Sequence, residues 1–262
     1  MTILKHELRQ GRRSLLVWTG AVGLLMVVCV FLFPEMKGEM EGLSEVFGSM
    51  GSFTAAFGMD RLNFGTLVGY YAIECGNVLG LGGAFFAALV GISALAKEER
   101  DRTAEFLLSH PISRRRVLGE KLGALLLQVL VLNLVILALV VASMLAIGEE
   151  IPWQEFLLLH LAYGILQVEL AGICFGLSAF LRRGSLGVGL GLAALLYCLN
   201  LMANITEKVK FLKYITPFAY CEGADIVTEG SLDTTLVLLG LGYLAVCLIA
   251  GFWYYTRKDI HP

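Results

Sequence analysis

The sequence predicts an all-α polytopic membrane protein with six transmembrane helices. Its mean hydropathy is +0.76, and only 16% of its residues are charged, whereas soluble domains carry about 25%. A helix needs roughly 20 apolar residues to cross the hydrocarbon core, and β-barrel strands give a weaker hydropathy signal. We therefore expect a single transmembrane domain over residues 1–262. Six windows are long enough to span: about 14–33, 67–96, 122–147, 156–181, 185–203 and 235–255.

The segment before the first span, residues 2–13, carries its charges on one face of a helical wheel and leucines beside them. This pattern predicts a basic amphipathic helix in the cytoplasmic interface, close to anionic head groups. A simple positive flank that only orients the first span is the alternative, and it stays open. The cations are Lys5, Arg9, Arg12 and Arg13.

The distribution of Lys and Arg predicts the orientation of the chain. If the N-terminus is cytoplasmic, 15 of the 20 Lys and Arg fall on the cytoplasmic side. Such an excess is the positive-inside signal, and six spans then return the C-terminus to the same side. We expect a multi-pass protein of the cell membrane with both termini in the cytoplasm.

The first outer segment, residues 34–66, is acidic and carries Met, Leu and Phe at helical spacing. It predicts an interfacial helix that packs on the outer ends of the spans. A methionine stripe can bind copper, but the spacing fits packing equally well, and we predict no metal site.

The densest charge cluster is KEERDRTAEFLLSHPISRRR, residues 97–116, where 10 of 20 residues are charged. Acidic residues at its start, good helix formers after them and Pro111 predict a helix that ends near the proline. Ser113 begins the next helix, with Arg114 at its start. The segment therefore predicts a charged helical corner on the cytoplasmic side, suited to docking a soluble partner.

Two carboxylates fall inside apolar windows. Glu169 lies near the centre of span four. Asn133 in span three and Asn200 in span five are candidate partners for it. A structural hydrogen-bonding role for Glu169 is as open as a functional one. Glu74 lies in the outer part of span two with Asn77 on the same helical face, and a structural role is favoured. Carboxylates are costly inside a membrane and are functional candidates.

Small residues four apart in spans two, four and five predict close helix packing. The pairs are Gly76 and Gly80, Gly172 and Gly176, and Gly187 and Gly191. The last outer loop, residues 204–234, is apolar in its middle. It predicts short helices that dip into the outer leaflet and break at Pro217.

Sequence motifs of known catalytic sites are missing. The chain has no G-x-x-x-x-G-K-[ST] phosphate-binding loop, no H-E-x-x-H and no G-x-S-x-G. Its six cysteines form no C-x-x-C pair, so we read them as buried apolar residues. We predict neither an enzyme nor a nucleic-acid-binding protein.

The charge cluster resembles the segment between the second and third spans of the ABC-2 family of ABC transporter permeases. In that family an acidic cluster, Gly-Thr, Glu, a leucine pair and Pro-x-Ser-Arg follow one another and end in a Lys. One position departs from this pattern, because Arg102 replaces the glycine. Tyr214-Ile215-Thr216-Pro217-Phe218 is similar to a weaker Pro-Phe motif of the family. The matching positions are Glu98, Glu99, Thr103, Glu105, Leu107, Leu108, Pro111, Ser113, Arg114 and Lys121.

The resemblance implies a permease subunit of an ATP-driven exporter that contains no cofactor of its own. Such a subunit pairs with a second copy or a paralogue in the membrane lipid. It binds two copies of a cytoplasmic ABC ATPase, which hold the Mg-ATP. Residues 97 to about 111 would form the coupling helix, and Arg102 and Arg114 would belong to the same contact.

Two other functions remain as alternatives. A proton-coupled secondary transporter would use Glu169 and would need no ATPase, but it leaves residues 97–116 unexplained. An intramembrane enzyme would need a catalytic partner for Glu169 at the same depth. The substrate is not encoded in any motif, although the apolar spans favour an amphipathic cargo.

Overall fold

The computed structural model describes residues 2–97, 113–181 and 186–257; for residues 2 and 39–49 it describes only the backbone. Within these ranges every regular element is a helix, and there is no strand. The elements are α1 (Thr2–Ser49), α2 (Ser52–Ala56), α3 (Leu67–Glu74), a π-helical segment (Cys75–Gly80), α4 (Leu81–Ser93), α5 (Arg114–Ile147), α6 (Trp153–Ser178), α7 (Leu186–Ile205), two 3₁₀ helices (Glu207–Tyr214 and Pro217–Cys221), α8 (Gly223–Glu229) and α9 (Thr234–Arg257).

The six transmembrane helices predicted from hydropathy are confirmed. Six helical stretches of the described chain are long and apolar enough to cross a membrane. The second of them is composite, because α3, the π-helical segment and α4 follow one another without a gap. The stretches are Ile3–Gly38, Leu67–Ser93, Arg114–Ile147, Trp153–Ser178, Leu186–Ile205 and Thr234–Arg257.

Helix α1 is much longer than a membrane span. It contains 48 residues and is therefore roughly 72 Å long, against a hydrocarbon core of about 30 Å. Residues 2–13 are helical, as predicted, but they continue into the first span rather than forming a helix of their own. Pro34 lies inside the helix without ending it, so the first outer segment begins as an extension of the span.

Helices α4 and α6 form the centre of the bundle. In α6, 61% of the most apolar window is buried, against 11% in α9. Helix α4 packs against α6 and α7, α6 also packs against α9, and α1 packs along α5. A helix that is apolar all round but packed on one side faces lipid or another subunit on the other, which applies most to α9.

The glycine pair of span four brings α6 close to α9. A Cβ on Gly251 of α9 would lie 2.7 Å from the Cα of Gly176, closer than two such atoms can approach. The small residues are therefore needed for this helix contact. The prediction for span five was wrong within this chain, because Gly191 has no atom within 4 Å of its Cβ position and Gly189 makes the close contact instead, against Ala88 and Ile92.

The second span is interrupted by one stretch of π-helix. Gly76 and Gly80 within it lie against Tyr163 of α6; a Cβ at Gly76 would lie 2.9 Å from the Tyr163 hydroxyl. The wider helical turn also rotates the residues after Glu74 relative to those before it. Such segments are uncommon in helices and occur frequently at functional sites.

The last outer loop forms the short helices that the sequence predicts. The second 3₁₀ helix begins at Pro217, and the Thr216 hydroxyl accepts a hydrogen bond from the Phe218 N–H. The Thr216 hydroxyl also donates to the Leu196 carbonyl at 2.8 Å, and the Tyr163 hydroxyl donates to the Cys221 carbonyl at 2.8 Å. These bonds fasten the loop to α7 and α6.

Candidate functional site

The two ends of the bundle differ in polar structure. The end that carries the N-terminus contains an ion cluster on α1, α5 and the residues that follow α4, and we call it the N-terminal end. The opposite end contains the 3₁₀ helices and α8, and we call it the loop end. Between them lie polar side chains inside the spans, among them Glu169, Gln167 and Glu74.

The ion cluster at the N-terminal end is centred on the carboxylate of Glu7. The Lys121 ammonium donates to Glu7 Oε1 at 2.9 Å, and the Lys97 ammonium donates to Glu7 Oε2. Lys97 also donates to Gln10 Oε1 at 2.7 Å, and Lys121 donates to the Ala94 carbonyl at 2.8 Å. Since the side chain of Lys121 is only 1% exposed, its charge needs partners of this kind to be stable there.

This cluster joins both ends of the segment that the sequence singles out. Lys97 is the first residue of the charged segment 97–116. Lys121 follows that segment in α5, eight residues after Ser113. One carboxylate of α1 therefore holds the chain that enters the segment and the helix that leaves it. The sequence did not point to Glu7, because its partners are 90 and 114 residues away.

A second carboxylate fixes the start of α1 on α5. Glu120 Oε2 accepts hydrogen bonds from the backbone N–H groups of Ile3 and Leu4 at 3.1 and 3.2 Å. Arg116 donates to the other oxygen of Glu120 at 3.0 Å. The first N–H groups of a helix have no intrahelical acceptor, and a carboxylate satisfies them and complements the helix dipole. The N-terminus of α1 is thus a fixed part of this end.

Arg114 connects α5 to the last span. Its guanidinium donates to the carbonyls of Tyr255 and Thr256 at 3.3 and 3.5 Å. Both carbonyls belong to the final turn of α9, where helix carbonyls lack intrahelical donors and a cation is favourable. Ser113 caps α5 by accepting a hydrogen bond from the Arg116 N–H, as the predicted helix start requires.

The other predicted docking residues lie outside the described part of the chain. Arg114 is the member of the predicted docking set that the structure places. The remaining ones are Glu98, Glu99, Arg102, Thr103, Glu105, Leu107, Leu108 and Pro111.

Glu169 is fully buried on α6. Its carboxyl lies beside the Tyr220 hydroxyl, although neither oxygen makes a hydrogen bond of ordinary geometry with a described residue. The group packs on the backbone of α9, where a Cβ at Gly240 would lie 2.7 Å from the carboxyl carbon. The suggested partners, Asn133 and Asn200, were wrong, because both bind other groups.

Asn133 instead pairs with Gln167. Its Nδ2 donates to Gln167 Oε1 at 2.7 Å and to the Val129 carbonyl at 2.9 Å. The Gln167 side chain packs against Gly83 of α4, where a Cβ would lie 2.5 Å from the amide carbon. This contact links α4, α5 and α6 in the membrane interior.

Glu74 and Asn77 do not share a face, contrary to the prediction from regular helical spacing. Glu74 accepts a hydrogen bond from the Cys29 thiol of α1 at 3.5 Å. Asn77, inside the π-helical segment, accepts one from the Tyr197 hydroxyl of α7 at 3.1 Å. The change of helix type separates them, so they serve different interfaces.

The loop end contains a buried carboxylate that no sequence pattern indicates. Glu222 is 8% exposed, and its Oε2 accepts a hydrogen bond from Asn204 Nδ2 at 2.7 Å and a long one from Asn200 Nδ2 at 3.5 Å. The group lines a cavity of about 40 Å³ together with Asn77, Tyr163 and other residues. That volume accommodates water, which can hydrogen-bond the Asn200 Oδ1 left unpaired by the described residues.

Burial raises the pKa of Glu222 above its ordinary value, while the hydrogen bond from Asn204 opposes this rise. Asp225 raises the pKa further, and the cations Arg61 and Lys213 lower it. Arg61 itself forms an ion pair with Asp225. Position 222 looks like an ordinary loop position in the sequence, and only the packing of the loop on α7 makes it an interior one.

The described residues contain no group of three or more His, Cys, Asp or Glu side chains that could hold a metal ion. The chemistry at these positions is that of ion pairing and hydrogen bonding. The arrangement ties helices together at both ends of the bundle.

Comparison with known proteins gives a match over nearly the whole chain. The sequence profile of a family described as ABC-2 family transporter protein matches residues 1–260. The chain is also similar to the uncharacterized protein YhcI of Bacillus subtilis (strain 168). The two are 27% identical over 222 residues, which covers 75% of this chain and 70% of that protein.

Proposed function

The chain belongs to the ABC-2 family of transporter proteins, and on this basis we propose that it is the permease subunit of an ATP-driven ABC exporter. It is a multi-pass membrane protein and a transport component rather than a catalyst. In the proposed complex a second permease copy or a paralogue completes the membrane part. Two copies of a separate ATP-binding subunit supply the hydrolysis of Mg-ATP.

The observation that carries this proposal is the contact of Glu7 with Lys97 and Lys121. A docking segment transmits force only if its two ends are attached to the spans that must move. Here one carboxylate ties both ends to α1. Arg114 ties the start of α5 to the end of α9, so a push on the segment would reach four spans.

The proposed mechanism is a rigid-body switch. Closure of the ATP-binding subunits would displace residues 97–111. Because α1 is one continuous helix, its movement at the N-terminal end would be carried to the outer segment. The loop end, which α6 and α7 hold through Cys221, Thr216 and Glu222, would then change its contacts and release cargo outward.

The proposed orientation places the N-terminal end in the cytoplasm. The described cations at that end are Lys5, Arg9, Arg12, Arg13, Lys97, Arg114, Arg115, Arg116, Lys121 and Arg257, whereas the loop end has Lys37, Arg61, Lys208, Lys210 and Lys213. This distribution follows the positive-inside rule. An ATP-binding partner must meet the N-terminal end, and this orientation makes that end accessible to it.

Purification of the tagged protein in mild detergent from its native cells tests this function. We expect an ATP-binding subunit with a phosphate-binding loop to co-purify in roughly equal amount. Purification of an intact, folded protein without any ATP-binding subunit would contradict the exporter proposal.

A second candidate, a proton-coupled transporter, is favoured by one observation. Glu169 is a buried carboxylate beside the Tyr220 hydroxyl and without a counter-charge among its described contacts, and such groups can carry protons in membranes. This function predicts transport driven by a pH gradient in vesicles that contain the protein alone. Transport that needs ATP and the partner would exclude it.

A further inference from the structure

A second cavity at the loop end lies apart from the Glu222 site. It has a volume of about 430 Å³, within the range of roughly 300–1,000 Å³ typical of small-ligand sites. The first 3₁₀ helix, α8 and the start of α9 surround it. Its lining includes Lys210, Phe211, Lys213, Tyr214, Asp225 and Glu229.

The charges of this cavity are separated onto different elements. Lys210 and Lys213 belong to the 3₁₀ helix, whereas Asp225 and Glu229 belong to α8. A ligand in the cavity therefore has cations from one element and carboxylates from another. Neither a purely anionic nor a purely cationic ligand matches both sets.

Most of the charged groups have a partner in the protein. Lys210 forms an exposed ion pair with Glu207 at 3.0 Å. Asp225 is paired with Arg61 and lies 3.8 Å from Lys213. Asp233 accepts hydrogen bonds from the N–H groups of Thr235 and Leu236 at the start of α9. Glu229 is exposed and forms no ion pair with any residue that the structure describes. It is the lining carboxylate best placed to meet a ligand cation.

The cavity is bordered by apolar and aromatic surface. Phe211 and Tyr214 are 60% and 58% exposed, and aromatic rings of this kind concentrate at the level of lipid head groups. Leu236 leads from the cavity onto α9, the least buried span. On that helix Leu238, Val246 and Ile249 are exposed, which provides an apolar surface suited to acyl chains.

We propose that this cavity binds the zwitterionic head group of a phospholipid. The phosphate lies toward Lys210 and Lys213, the ammonium lies toward Glu229, and the acyl chains follow α9. An anionic head group would leave the carboxylates facing negative charge, and a cationic amphiphile would face the two lysines. The proposal concerns lipid binding alone and does not depend on the ATP-driven function.

Native mass spectrometry of the delipidated, purified protein tests the site. The probes are phosphatidylethanolamine, phosphatidylglycerol and diacylglycerol with identical acyl chains. We expect phosphatidylethanolamine to bind most tightly. We expect Lys210→Gln and Glu229→Gln each to weaken it about tenfold, since one charged contact is worth on the order of 1.4 kcal/mol.

The two variants distinguish the contact of the lipid ammonium from the contact of the lipid phosphate. Glu229→Gln should leave the weaker binding of phosphatidylglycerol unchanged, whereas Lys210→Gln should weaken both phospholipids. Lys208→Gln is the matched control, because Lys208 is an exposed lysine of the same 3₁₀ helix that does not line the cavity. Equal loss with Lys208→Gln, no effect of Glu229→Gln, or tighter binding of phosphatidylglycerol would each overturn the proposal.

Discussion

Glu7 Oε1 accepts a hydrogen bond from Lys121 Nζ at 2.9 Å, although the two residues are 114 positions apart. The contact places the N-terminal part of α1 against α5, the helix that follows the predicted docking segment, residues 97 to about 111. Because Lys97 binds the other oxygen of the same carboxylate, the two ends of that segment cannot move independently of α1. This relationship links the N-terminus of the chain to the transport function proposed for it.

Removal of the Glu7 charge should destabilise the N-terminal end. Glu7→Gln removes the carboxylate charge that binds the buried ammonium of Lys121, and breaking such a buried pair costs about 3–5 kcal/mol. We expect the loss in chemical unfolding of the purified protein in detergent. Exposed Glu150→Gln should change stability by less than about 0.5 kcal/mol.

Replacement of the buried cation should rescue that variant. Lys121→Met in the Glu7→Gln background removes the buried ammonium while nearly keeping the length of the side chain. Most of the lost stability should return in the double variant. If the double variant is as unstable as Glu7→Gln alone, the ion pair is not the source of the effect.

Stability should depend on the ionisation of Glu222. Its pKa is raised in the folded protein by burial, so the folded state holds the proton more tightly than the unfolded state. Stability is therefore lost as the pH rises from the unfolded pKa, near 4.5, through the folded pKa. Glu222→Gln cannot ionise, so it should unfold at a higher temperature than the wild type at pH 8.

The comparison at low pH completes that test. The difference between Glu222→Gln and the wild type should shrink as the pH falls below the raised pKa of Glu222. Glu150→Gln, an exposed carboxylate at the same end, should follow the wild type throughout. A constant difference between wild type and Glu222→Gln at all pH values would show that the carboxyl does not titrate as described.

The packing of Glu169 on α9 predicts opposite outcomes at two neighbouring glycines. Gly240→Ala places a methyl group against the Glu169 carboxyl, and overpacking of this kind costs about 1–3 kcal/mol. Gly242 has no atom within 4 Å of its Cβ position, so Gly242→Ala should cost nothing. Thermal unfolding of both variants measures the difference.

A double-mutant cycle with Glu169→Ala identifies the partner. Shortening Glu169 should relieve the clash, so that Gly240→Ala costs much less in the Glu169→Ala background. Additive effects of the two substitutions would mean that the α6–α9 contact differs from the one described.

Substitutions in the docking segment should abolish binding of the ATP-binding subunit without affecting membrane insertion. Charge reversal at Glu98 and Glu99 combined with Leu107→Asp should remove the complementary surface for the ATP-binding subunit and leave the spans intact. We expect normal insertion and loss of the partner in a mild-detergent purification. Glu150→Lys, a charge reversal at the loop end, should retain the partner, and retention by the triple variant would refute the assignment of this segment.

Hydropathy was sufficient to predict the six spans because the length and apolar composition that a span requires are present in one continuous stretch of sequence. The break of the last loop at Pro217 is local too, since proline fixes its own backbone and favours the start of a helix. The pair Gly172 and Gly176 predicted a close contact but not its partner, α9. That partner depends on how the helices pack.

The polar contacts could not be read from local patterns. Glu7 and its lysines are brought together by folding, and Glu222 becomes buried only when its loop packs on α7. The shared face expected for Glu74 and Asn77 assumed a regular α-helix, which the π-helical segment interrupts. The sequence shows which polar residues lie in apolar surroundings, but three-dimensional packing decides which of them meet.

Site-specific photo-crosslinking at position 107 tests the central claim most directly. A photoreactive amino acid replaces Leu107 within the docking segment or, as a control, Leu126, an exposed apolar residue of α5, in cells that express the native partners. We predict a covalent adduct with an ATP-binding subunit from position 107 and none from position 126. An inserted, folded protein that forms no such adduct at position 107 would contradict the proposed coupling to an ATPase.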